Sequence, residues 1–292
     1  MSKLRELLEN KEKVLTAELF APKGIGMKNI TRKLKILEPY IDLFNVTDNQ
    51  RATMRVSSIG LCAYLEREFG VETVYQLNCR DRNRIALQSD LLAASLLGLK
   101  NVLVITGDHH SIGDHLYTKP VYDLDSVQLL QTIEKLNNGL DFSGNKLRGK
   151  PDIFAGATVN PVSRPMQPHL LKFKKKIRAG AKFFQTQVVF DTDLFKEFYK
   201  EAKDEKVPIL AGISLIKDVE FAKFINESVQ GLNIPERIMK RLSTGGDVSH
   251  TRIDVACEII ESLKDSCQGY HFMVFGLEKE IPIILKETSL VL

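Results

Sequence analysis

Asn101-Val-Leu-Val-Ile-Thr106, which runs directly into Gly107-Asp108, is the clearest buried strand in this 292-residue sequence. Its centre is apolar without interruption, as expected for a strand of a parallel sheet that is covered on both faces. Helices must then lie on both sides of that sheet. Helical patterns indeed flank the strand: one runs from about Arg84 to Leu97 and stops at Gly98, and another runs from Asp125, an expected N-cap, to about Leu136.

Seven more runs of strand length are spaced along the chain, with helical patterns between them. They are Val14–Phe20, Ile41–Thr47, Val74–Leu77, Ile153–Val159, Lys182–Gln187, Pro208–Ile213 and Tyr270–Phe275. Further helical segments run from about Met27 to Leu37, Met54 to Phe69, Glu236 to Leu242 and Thr251 to Leu263. Eight strands alternating with helices predict an α/β fold, a single (β/α)8 TIM barrel covering residues 1–292, because such barrels commonly need about 250 residues.

An open, doubly wound sheet is the alternative architecture. Its signature would be a G-x-G-x-x-G turn after the first strand. The turn found there, Ala21-Pro-Lys-Gly-Ile-Gly26, lacks that spacing, so the closed barrel is favoured. The segment Asn137–Lys150 is rich in Gly, Asn and Lys and is expected to be irregular.

Composition and charge narrow the class of protein. The chain is 43% hydrophobic and 27% charged, and its 41 basic and 37 acidic residues are too balanced for a nucleic-acid groove. Four cysteines without a C-x-x-C pair argue against a metal or iron–sulfur site within this chain and against a disulfide framework. The charged start Met1–Glu6 does not resemble a signal peptide, and no apolar run approaches the length of a membrane span, so a cytoplasmic, non-membrane protein is expected.

One carboxyl group interrupts the apolar first strand. Side chains alternate along a strand, so Leu15, Ala17 and Leu19 can face a layer of helices while Glu18 faces whatever the sheet encloses. Burying an ionised carboxylate is unfavourable, and the usual result is a raised pKa. Two interpretations stay open on this stretch alone: a functional carboxyl group, or a strand-end residue paired with a Lys or Arg.

Polar residues recur where the predicted strands end. In a (β/α)8 barrel the active site is built at the C-terminal ends of the strands. The residues placed there are Glu18, Thr47, Asp48, Gln76, Asn78, Thr106, Asp108, Thr158, Asn160, Gln185 and Gln187. Neutral amides, hydroxyls and a few carboxyl groups suit recognition of a flat heterocycle and a single proton transfer, with the harder chemistry left to a cofactor.

Several of these residues also have structural interpretations. Thr47 and Thr106 could satisfy backbone groups at strand ends, Asp108 could cap a turn, and Gln187 could be a structural amide. The basic run Lys172–Arg178 is more typical of a solvated helix face than of a phosphate site.

The sequence resembles the methylenetetrahydrofolate reductases from about Val14 to Phe275. The resemblance rests on segments in the family's order, of which the most specific contains Ala-Gly-Ala-Lys-Phe-Phe-Gln-Thr-Gln. They are Ala17–Phe20, Ile105–Asp108, Val121–Asp125, Asn160-Pro161, Arg178–Asp191 and Gly212-Ile213. Asn138–Gly144 and the Val-Asn-Pro after the fifth strand resemble a divergent branch, which includes reductases of acetogenic bacteria and the reductase half of bifunctional homocysteine methyltransferases.

This resemblance implies a flavoprotein of one-carbon metabolism that serves methionine biosynthesis. It would reduce 5,10-methylenetetrahydrofolate to 5-methyltetrahydrofolate by hydride transfer from reduced flavin. Glu18 matches the family's general acid, Asp108 matches an aspartate near flavin and folate, and Gln187 matches the glutamine that binds the pterin. The positions that match flavin contacts are Thr47, Gln76, Thr106, Gly107, Asp108, Tyr122, Asp123, Asn160, Lys172, Lys175 and Lys176.

Departures from the family's pattern bear on the electron donor. Gln76 stands where many members have a flavin-contacting His, Thr106 replaces a frequent Arg, and Gly156 and Asn160 replace a Tyr and a His. Val219 occupies the position of an aromatic residue on which NADH folds in the well-studied bacterial type. These departures put the direct use of NAD(P)H as electron donor in doubt. They leave FAD versus FMN open, with FAD the more expected flavin.

Three hypotheses follow. The first is the reductase itself, and the second is a flavin- and folate-binding subunit that is inactive alone and receives electrons from an iron–sulfur partner protein. The third is an unrelated barrel that binds a pterin for methyl transfer without flavin. A homo-oligomer or a hetero-complex is expected, with neither nucleic acid nor a metal ion bound by this chain.

Overall fold

Eight parallel strands close into a barrel in the computed structural model, which describes residues 2–228, 232–244 and 247–291. Each strand pairs with the next along the chain, and the first pairs with the last. The strands are β1 Val14–Leu19, β2 Leu43–Val46, β3 Thr73–Asn78, β4 Asn101–Ile105, β5 Phe154–Val159, β6 Phe183–Val188, β7 Ile209–Ser214 and β8 Gly269–Met273. The predicted (β/α)8 barrel is therefore confirmed, and the open sheet is excluded.

Helices lie between the strands and surround the barrel. They are α1 Lys3–Asn10, α2 Lys28–Leu37, α3 Ser58–Phe69, α4 Arg84–Leu96, α5 Ser126–Asn137, α6 Met166–Arg178, α7 Thr192–Ala202, α8 Val219–Ser228, α9 Glu236–Thr244, α10 Val248–Leu263 and α11 Ile281–Glu287. The predicted cap of α5 is present, because the Asp125 side chain accepts from the Gln128 backbone N–H and the Gln128 side chain accepts from the Asp125 backbone N–H. This reciprocal arrangement is a capping box and fixes where α5 begins.

Two helices begin elsewhere than the sequence predicts. A helix was expected from Met54, but α3 starts at Ser58, because the preceding residues form a 3-10 turn over Gln50–Ala52 and an extended stretch. Conversely, α10 starts at Val248 rather than Thr251, because the Asp247 side chain caps it by accepting from the Ser249 backbone N–H. The irregular segment 137–150 contains one antiparallel bridge, between Leu140 and Lys146.

The barrel interior is layered. Its N-terminal end is filled by eight buried side chains that we call the apolar floor: Leu4, Val14, Leu43, Val74, Leu103, Phe154, Phe183 and Leu210. Leu4 belongs to α1, so that helix covers the barrel from below. Outside the barrel, Leu15, Ala17 and Leu19 pack into the helical layer, as their alternation in the first strand predicts.

Above the apolar floor the interior becomes polar. The Asn45 and Gln185 side-chain amides exchange hydrogen bonds of 2.7 and 3.2 Å across the barrel. Thr16 Oγ1 lies 2.9 Å from Nδ1 of His271 on the neighbouring β8. These pairs satisfy buried polar groups and form the base of the cavity described below. In the described part of the chain, no helix combines the length and the apolar character needed to cross a membrane.

Candidate active site

A cavity of about 310 Å³ opens at the C-terminal ends of the strands. This is the end of a (β/α)8 barrel at which active sites are built. Of the predicted site residues, the structure brings together around this cavity Glu18, Gln76, Thr106, Gly107, Asp108, Lys172, Lys176 and Gln187. Asp48, Thr158 and Gln185, which the strand-end pattern also indicated, line it as well.

Glu18 is the buried carboxyl group of the cavity. Glu18 is 6% exposed, and its Oε1 accepts a 3.2 Å hydrogen bond from Gln76 Nε2. Oε2 has no hydrogen-bond partner, and no Lys, Arg or His of the described residues forms an ion pair with this carboxyl. Burial raises the pKa of Glu18 to about 7, and the hydrogen bond from Gln76 lowers it by a smaller amount. A carboxyl group with that pKa can hold and release a proton near neutral pH.

His271 and Met273 also line the cavity, and the sequence analysis did not identify them. Burial lowers the pKa of His271 to about 3, so its imidazole is neutral at physiological pH. A neutral imidazole adds no positive charge that would favour ionisation of Glu18. Alternation along β8 was an available signal, because Gly269, His271 and Met273 lie at every second position of that strand.

Gly107 and Asp108 sit where β4 leaves the barrel. Gly107 has a φ of +94°, and a Cβ there would lie 3.0 Å from the Arg80 Cβ, so this turn requires glycine. The Asp108 backbone carbonyl accepts from Arg80 Nη1 at 3.2 Å and from the Tyr122 hydroxyl at 2.9 Å. Its carboxylate Oδ2 accepts from the backbone N–H of Arg51 at 2.9 Å. Asp108 therefore joins the loop after β4 to the loop after β2.

A buried charge network supports these two loops. Arg82 Nη1 contacts the Asp48 carboxylate at 2.7 Å, and Asn78 Nδ2 donates to the same carboxylate at 2.6 Å. Arg80 contacts Asp81 at 2.7 Å and also donates to the Asn49 carbonyl at 2.9 Å. Arg80 also lines the cavity. It was missed in the sequence because it lies three residues beyond Leu77, the predicted end of the third strand, which is farther than any residue chosen from the strand ends.

Two lysines of α6 give the cavity a cationic side. Lys176 is 5% exposed and its Nζ donates to the Thr158 carbonyl at 2.6 Å. Burial and, to a smaller extent, the neighbouring charge of Lys172 lower the pKa of Lys176 to about 8. Lys172 is exposed at the cavity edge. A pair of this kind suits an anionic group such as a phosphate.

Six predicted site residues lie outside the cavity lining, and one of them is the buried Asn78, whose side chain donates to Asp48. Thr47 is buried and accepts weakly from the Ala21 backbone N–H at 3.4 Å. Tyr122 reaches the site through hydrogen bonds from its hydroxyl to the backbone carbonyls of Gly107 and Asp108, at 3.4 and 2.9 Å. Asp123 forms a salt bridge of 2.7 Å with Arg84. The remaining two are Asn160, whose Oδ1 accepts from the Val162 N–H at 3.2 Å, and the exposed Lys175.

Aromatic side chains cluster beyond the C-terminal ends of β1 and β8 and on α8. The Phe20 and Phe275 rings are 5.6 Å apart, and the Phe221 ring is 5.7 Å from Phe275. The Arg51 guanidinium lies 5.8 Å from the Phe224 ring centre, so the loop after β2 contacts α8. Val219, at the start of α8, is partly buried against the core. Across the described residues, no group of three or more His, Cys, Asp or Glu side chains is arranged to hold a metal ion.

Comparison with known proteins agrees with this architecture. The family model described as methylenetetrahydrofolate reductase matches residues 3–289. The chain is 23% identical over 291 residues to methylenetetrahydrofolate reductase 2 of Schizosaccharomyces pombe. This alignment covers 94% of this chain and 45% of that protein. It is 23% identical over 266 residues to 5,10-methylenetetrahydrofolate reductase of Buchnera aphidicola. This alignment covers 87% of this chain and 85% of the Buchnera protein.

The chain thus spans less than half the length of the yeast relative and most of the bacterial one. Among solved structures, two of oxaloacetate acetylhydrolase match over 99% of this chain and 85% and 84% of theirs. Their TM-scores are 0.51 and 0.53, at sequence identities of 12% and 11%. At such low identity the similarity shows a shared fold and nothing about activity.

Proposed function

The chain belongs to the methylenetetrahydrofolate reductase family, and from that membership we propose that it reduces 5,10-methylenetetrahydrofolate to 5-methyltetrahydrofolate. The observation that carries the proposal is Glu18, a buried carboxyl group in the barrel cavity with one oxygen that has no partner. The reaction adds a hydride to the bridging methylene carbon and a proton to the nitrogen that leaves that carbon. The chain must therefore supply a proton next to the place where the hydride arrives.

Glu18 is the proposed proton donor. In its protonated form it would donate to the folate nitrogen, the carbon–nitrogen bond of the five-membered ring would break, and the methylene carbon would become electrophilic. Burial keeps the pKa near 7, so a substantial fraction of Glu18 is protonated at neutral pH. Gln76 holds Oε1 by a hydrogen bond and leaves Oε2 as the oxygen directed to substrate.

The residues around the cavity fit a flavin. Gly107 lines the cavity without a side chain, because a Cβ there would meet Arg80 and Asn78. Gln76 and Thr106 offer hydrogen-bonding groups to a flat heterocycle. Lys172 and Lys176 would hold an anionic phosphate of the cofactor. When bound, reduced flavin supplies the hydride. The choice of FAD over FMN follows the resemblance alone, and the lysine pair suits the phosphate of either cofactor.

Asp108 and Gln187 are the proposed folate-binding residues. Both line the cavity and both are exposed to it, in contrast to the buried Glu18. Gln187 can pair with the amide-like edge of a pterin through its own amide. The Asp108 carboxylate is already bonded through Oδ2 to the Arg51 N–H, so its other oxygen is the one that would accept from the pterin.

The second candidate function is a flavin- and folate-binding subunit that depends on an electron-donating partner. The observation that favours it is Val219, which is packed partly against the core and offers no ring at the position where the resemblance places an aromatic. Two other aromatic residues, Phe275 and Phe224, are 40% and 42% exposed, and a nicotinamide could stack on one of these rings instead. The electron donor therefore distinguishes the two functions.

One anaerobic experiment tests both. The purified chain is reconstituted with FAD or FMN, its visible spectrum is recorded, and NADH, NADPH or an artificial one-electron donor is added, followed by methylenetetrahydrofolate. Bleaching by NADH or NADPH and reoxidation by the folate would support the complete reductase. Bleaching by the artificial donor alone, again with reoxidation by folate, would support the partner-dependent subunit. A chain that takes up neither flavin would contradict both.

A further inference from the structure

The helix α4 has a second apolar face that is largely exposed in the described chain. Leu87, Leu91 and Ala94 form its buried side. Its exposed side, which we call the α4 outer face, consists of Ile85, Ser89, Leu92, Ala93 and Leu96. A helix on the outside of a barrel normally carries charged or polar residues on its solvent side, so this face is unusual.

The exposure of this face is large and its charge is zero. Ile85 is 71% exposed, Leu96 is 90% exposed, and Leu97, just after the helix, is 57% exposed. The only charged residues of α4 are Arg84 and Asp90, and both are paired within the chain, with Asp123 and Arg82, each at 2.7 Å. Nothing on the α4 outer face therefore competes with apolar contact.

The spacing of the face fits a packed helix. Ile85, Ser89, Leu92 and Leu96 follow one another at intervals of four, three and four residues. This is the spacing of a seam between two helices, in which side chains of one helix enter gaps on the other. Small Ser89 between the larger residues leaves room for a side chain of the incoming helix.

Two grooves lie along α4, one beside its N-terminal half and the other beside its C-terminal half. One, of about 630 Å³, lies between α4 and the segment that carries Phe142 and Leu147. The other, of about 460 Å³, lies between the C-terminal half of α4 and residues 148–152. Leu92 lines both grooves, so the two form a continuous surface along the helix.

The second groove has a positively charged edge. Arg148 and Lys150 line it, and Lys146 precedes them on the same exposed segment. In the ranges that the structure describes, none of these three makes a salt bridge. The one acid lining the groove, Asp152, is bound to Arg5 at 2.8 Å. The groove therefore presents unneutralised cations beside exposed leucines.

We propose that the α4 outer face and its basic edge form a docking surface for an acidic amphipathic helix of a partner protein. The apolar seam would bury Leu92 and Leu96, and acidic residues flanking the partner's apolar stripe would contact Arg148 and Lys150. The second groove adjoins the N-terminal ends of β4 and β5, opposite the cavity, so a docked partner would leave the mouth of the barrel open.

Charge argues against a second copy of this chain as the occupant. In a parallel arrangement of two α4 helices, Arg148 and Lys150 would meet the same cations of the other copy. In an antiparallel arrangement they would meet the N-terminal end of the other α4, where the positive end of the helix dipole adjoins Asp141, the acid of the first groove that makes no salt bridge among the described residues. An acidic helix would offer this basic edge more negative charge than either arrangement of a second copy.

A designed peptide tests the surface with the complete chain. The probe is a fluorescently labelled helical peptide with leucines at intervals of three and four residues and glutamates beside them. Its matched controls are the same peptide with lysines for glutamates and a peptide of the same composition with scrambled leucines. Fluorescence anisotropy should show binding of the acidic peptide to the wild type, weakening as salt is added, and no binding of either control.

Two changes on the surface should weaken that binding. Leu96→Asp should raise the Kd about tenfold or more, and so should Arg148→Glu combined with Lys150→Glu. The matched control is Ile283→Asp on α11, where the original residue is also exposed, at 45%; its Kd should equal that of the wild type. Circular dichroism melting confirms that each variant is folded. Equal binding of the scrambled peptide, or no effect of Leu96→Asp, would overturn the proposal.

Sedimentation of the wild type and Leu96→Asp completes the test. A wild-type dimer that becomes a monomer in Leu96→Asp would identify a second copy as the occupant and so contradict an acidic partner. An unchanged mass in both proteins, together with loss of peptide binding in Leu96→Asp, supports the partner. None of these measurements involves flavin or folate, so they stand or fall independently of the proposed reduction.

Discussion

At the scale of single residues, burial acts on two groups in the cavity in opposite directions. It raises the pKa of Glu18 to about 7 and lowers the pKa of His271 to about 3. The cause is the same, because a low-dielectric interior disfavours the charged form of an acid and of a base alike. At neutral pH the imidazole is uncharged and the carboxyl group is divided between its two forms. Glu18 is therefore the group in this pair that can supply a proton.

Replacing Glu18 by Gln should separate binding from proton donation. The Glu18→Gln side chain keeps the shape and can still contact Gln76, but it has no acidic proton to transfer to the substrate. Flavin uptake and flavin reduction should persist, while the rate of reoxidation by methylenetetrahydrofolate should fall about a hundredfold or more. Stopped-flow absorbance measures both half-reactions separately. An unchanged folate half-reaction would leave Glu18 with a structural role only.

The same carboxyl group should make stability depend on pH. Its native pKa of about 7 lies above the ordinary 4.5, so the native state binds more protons than the unfolded state between these values. Stability should therefore fall as pH rises through that window, by about 3 kcal/mol at most from this one group. Urea unfolding at several pH values measures this fall in the free energy of unfolding. Glu18→Gln should lack this part of the fall, and identical pH profiles for the two proteins would contradict the raised pKa.

At the scale of elements, the loops after β2 and β4 depend on each other. Asn49, Arg51 and Ala52 all have positive φ values, of 47°, 56° and 52°, which non-glycine residues seldom adopt. Asp108 holds this segment through the Arg51 N–H, and the backbone of Gly113 approaches Ala52 so closely that a Cβ on Gly113 would lie 2.1 Å from its carbonyl oxygen. Asp108 thus supports loop geometry as well as lining the cavity.

Removing the Asp108 carboxylate should release that loop. Asp108→Ala should speed amide hydrogen exchange at Arg51 about tenfold or more, because the hydrogen bond that protects it is lost. Asp108→Asn is the matched control, since its side-chain oxygen can still accept from the same N–H. Exchange followed by mass spectrometry on peptides covering 49–55 measures both. Equal protection in Asp108→Ala and the wild type would show that other contacts hold the loop.

The strands and the loops differ in how well the sequence predicts them. All eight strands were predicted within two residues at each end, because a strand buried on both faces leaves an apolar run that polar neighbours bound clearly. The turn at Gln50–Ala52 was not predicted, because its left-handed residues are Asn, Arg and Ala rather than glycine. The strand-end argument missed Arg80, which lies three residues beyond the predicted end of the third strand at Leu77. It missed His271 because the last strand was predicted to end at Phe275, four residues later.

At the scale of the whole molecule, α1 contributes to the barrel although it precedes the first strand. Leu4 is fully buried in the apolar floor together with inward-facing residues of seven strands. The Glu72 carboxylate accepts from the backbone N–H groups of Lys3 and Leu4, at 3.1 and 3.2 Å, and fixes the start of the helix against the loop before β3. Helix and barrel therefore share one core at this end.

Leu4→Ala should destabilise the whole barrel. Removing a fully buried leucine side chain from a close-packed core typically costs about 2–5 kcal/mol. Equilibrium urea unfolding should show a lower midpoint for Leu4→Ala, with the matched control Glu9→Ala, at an exposed position of the same helix, near the wild type. A loss below about 1 kcal/mol would mean that α1 is only loosely attached.

The apolar floor also has a kinetic consequence. Because the apolar floor and α1 close the N-terminal end of the barrel, small molecules enter and leave the cavity through its opening at the C-terminal ends of the strands. In the proposed reductase, a small electron donor and the folate would both use this opening, so a departing product would have to leave before the next reactant enters. We expect them to take turns, so double-reciprocal plots of rate at several concentrations of the second substrate should give parallel lines.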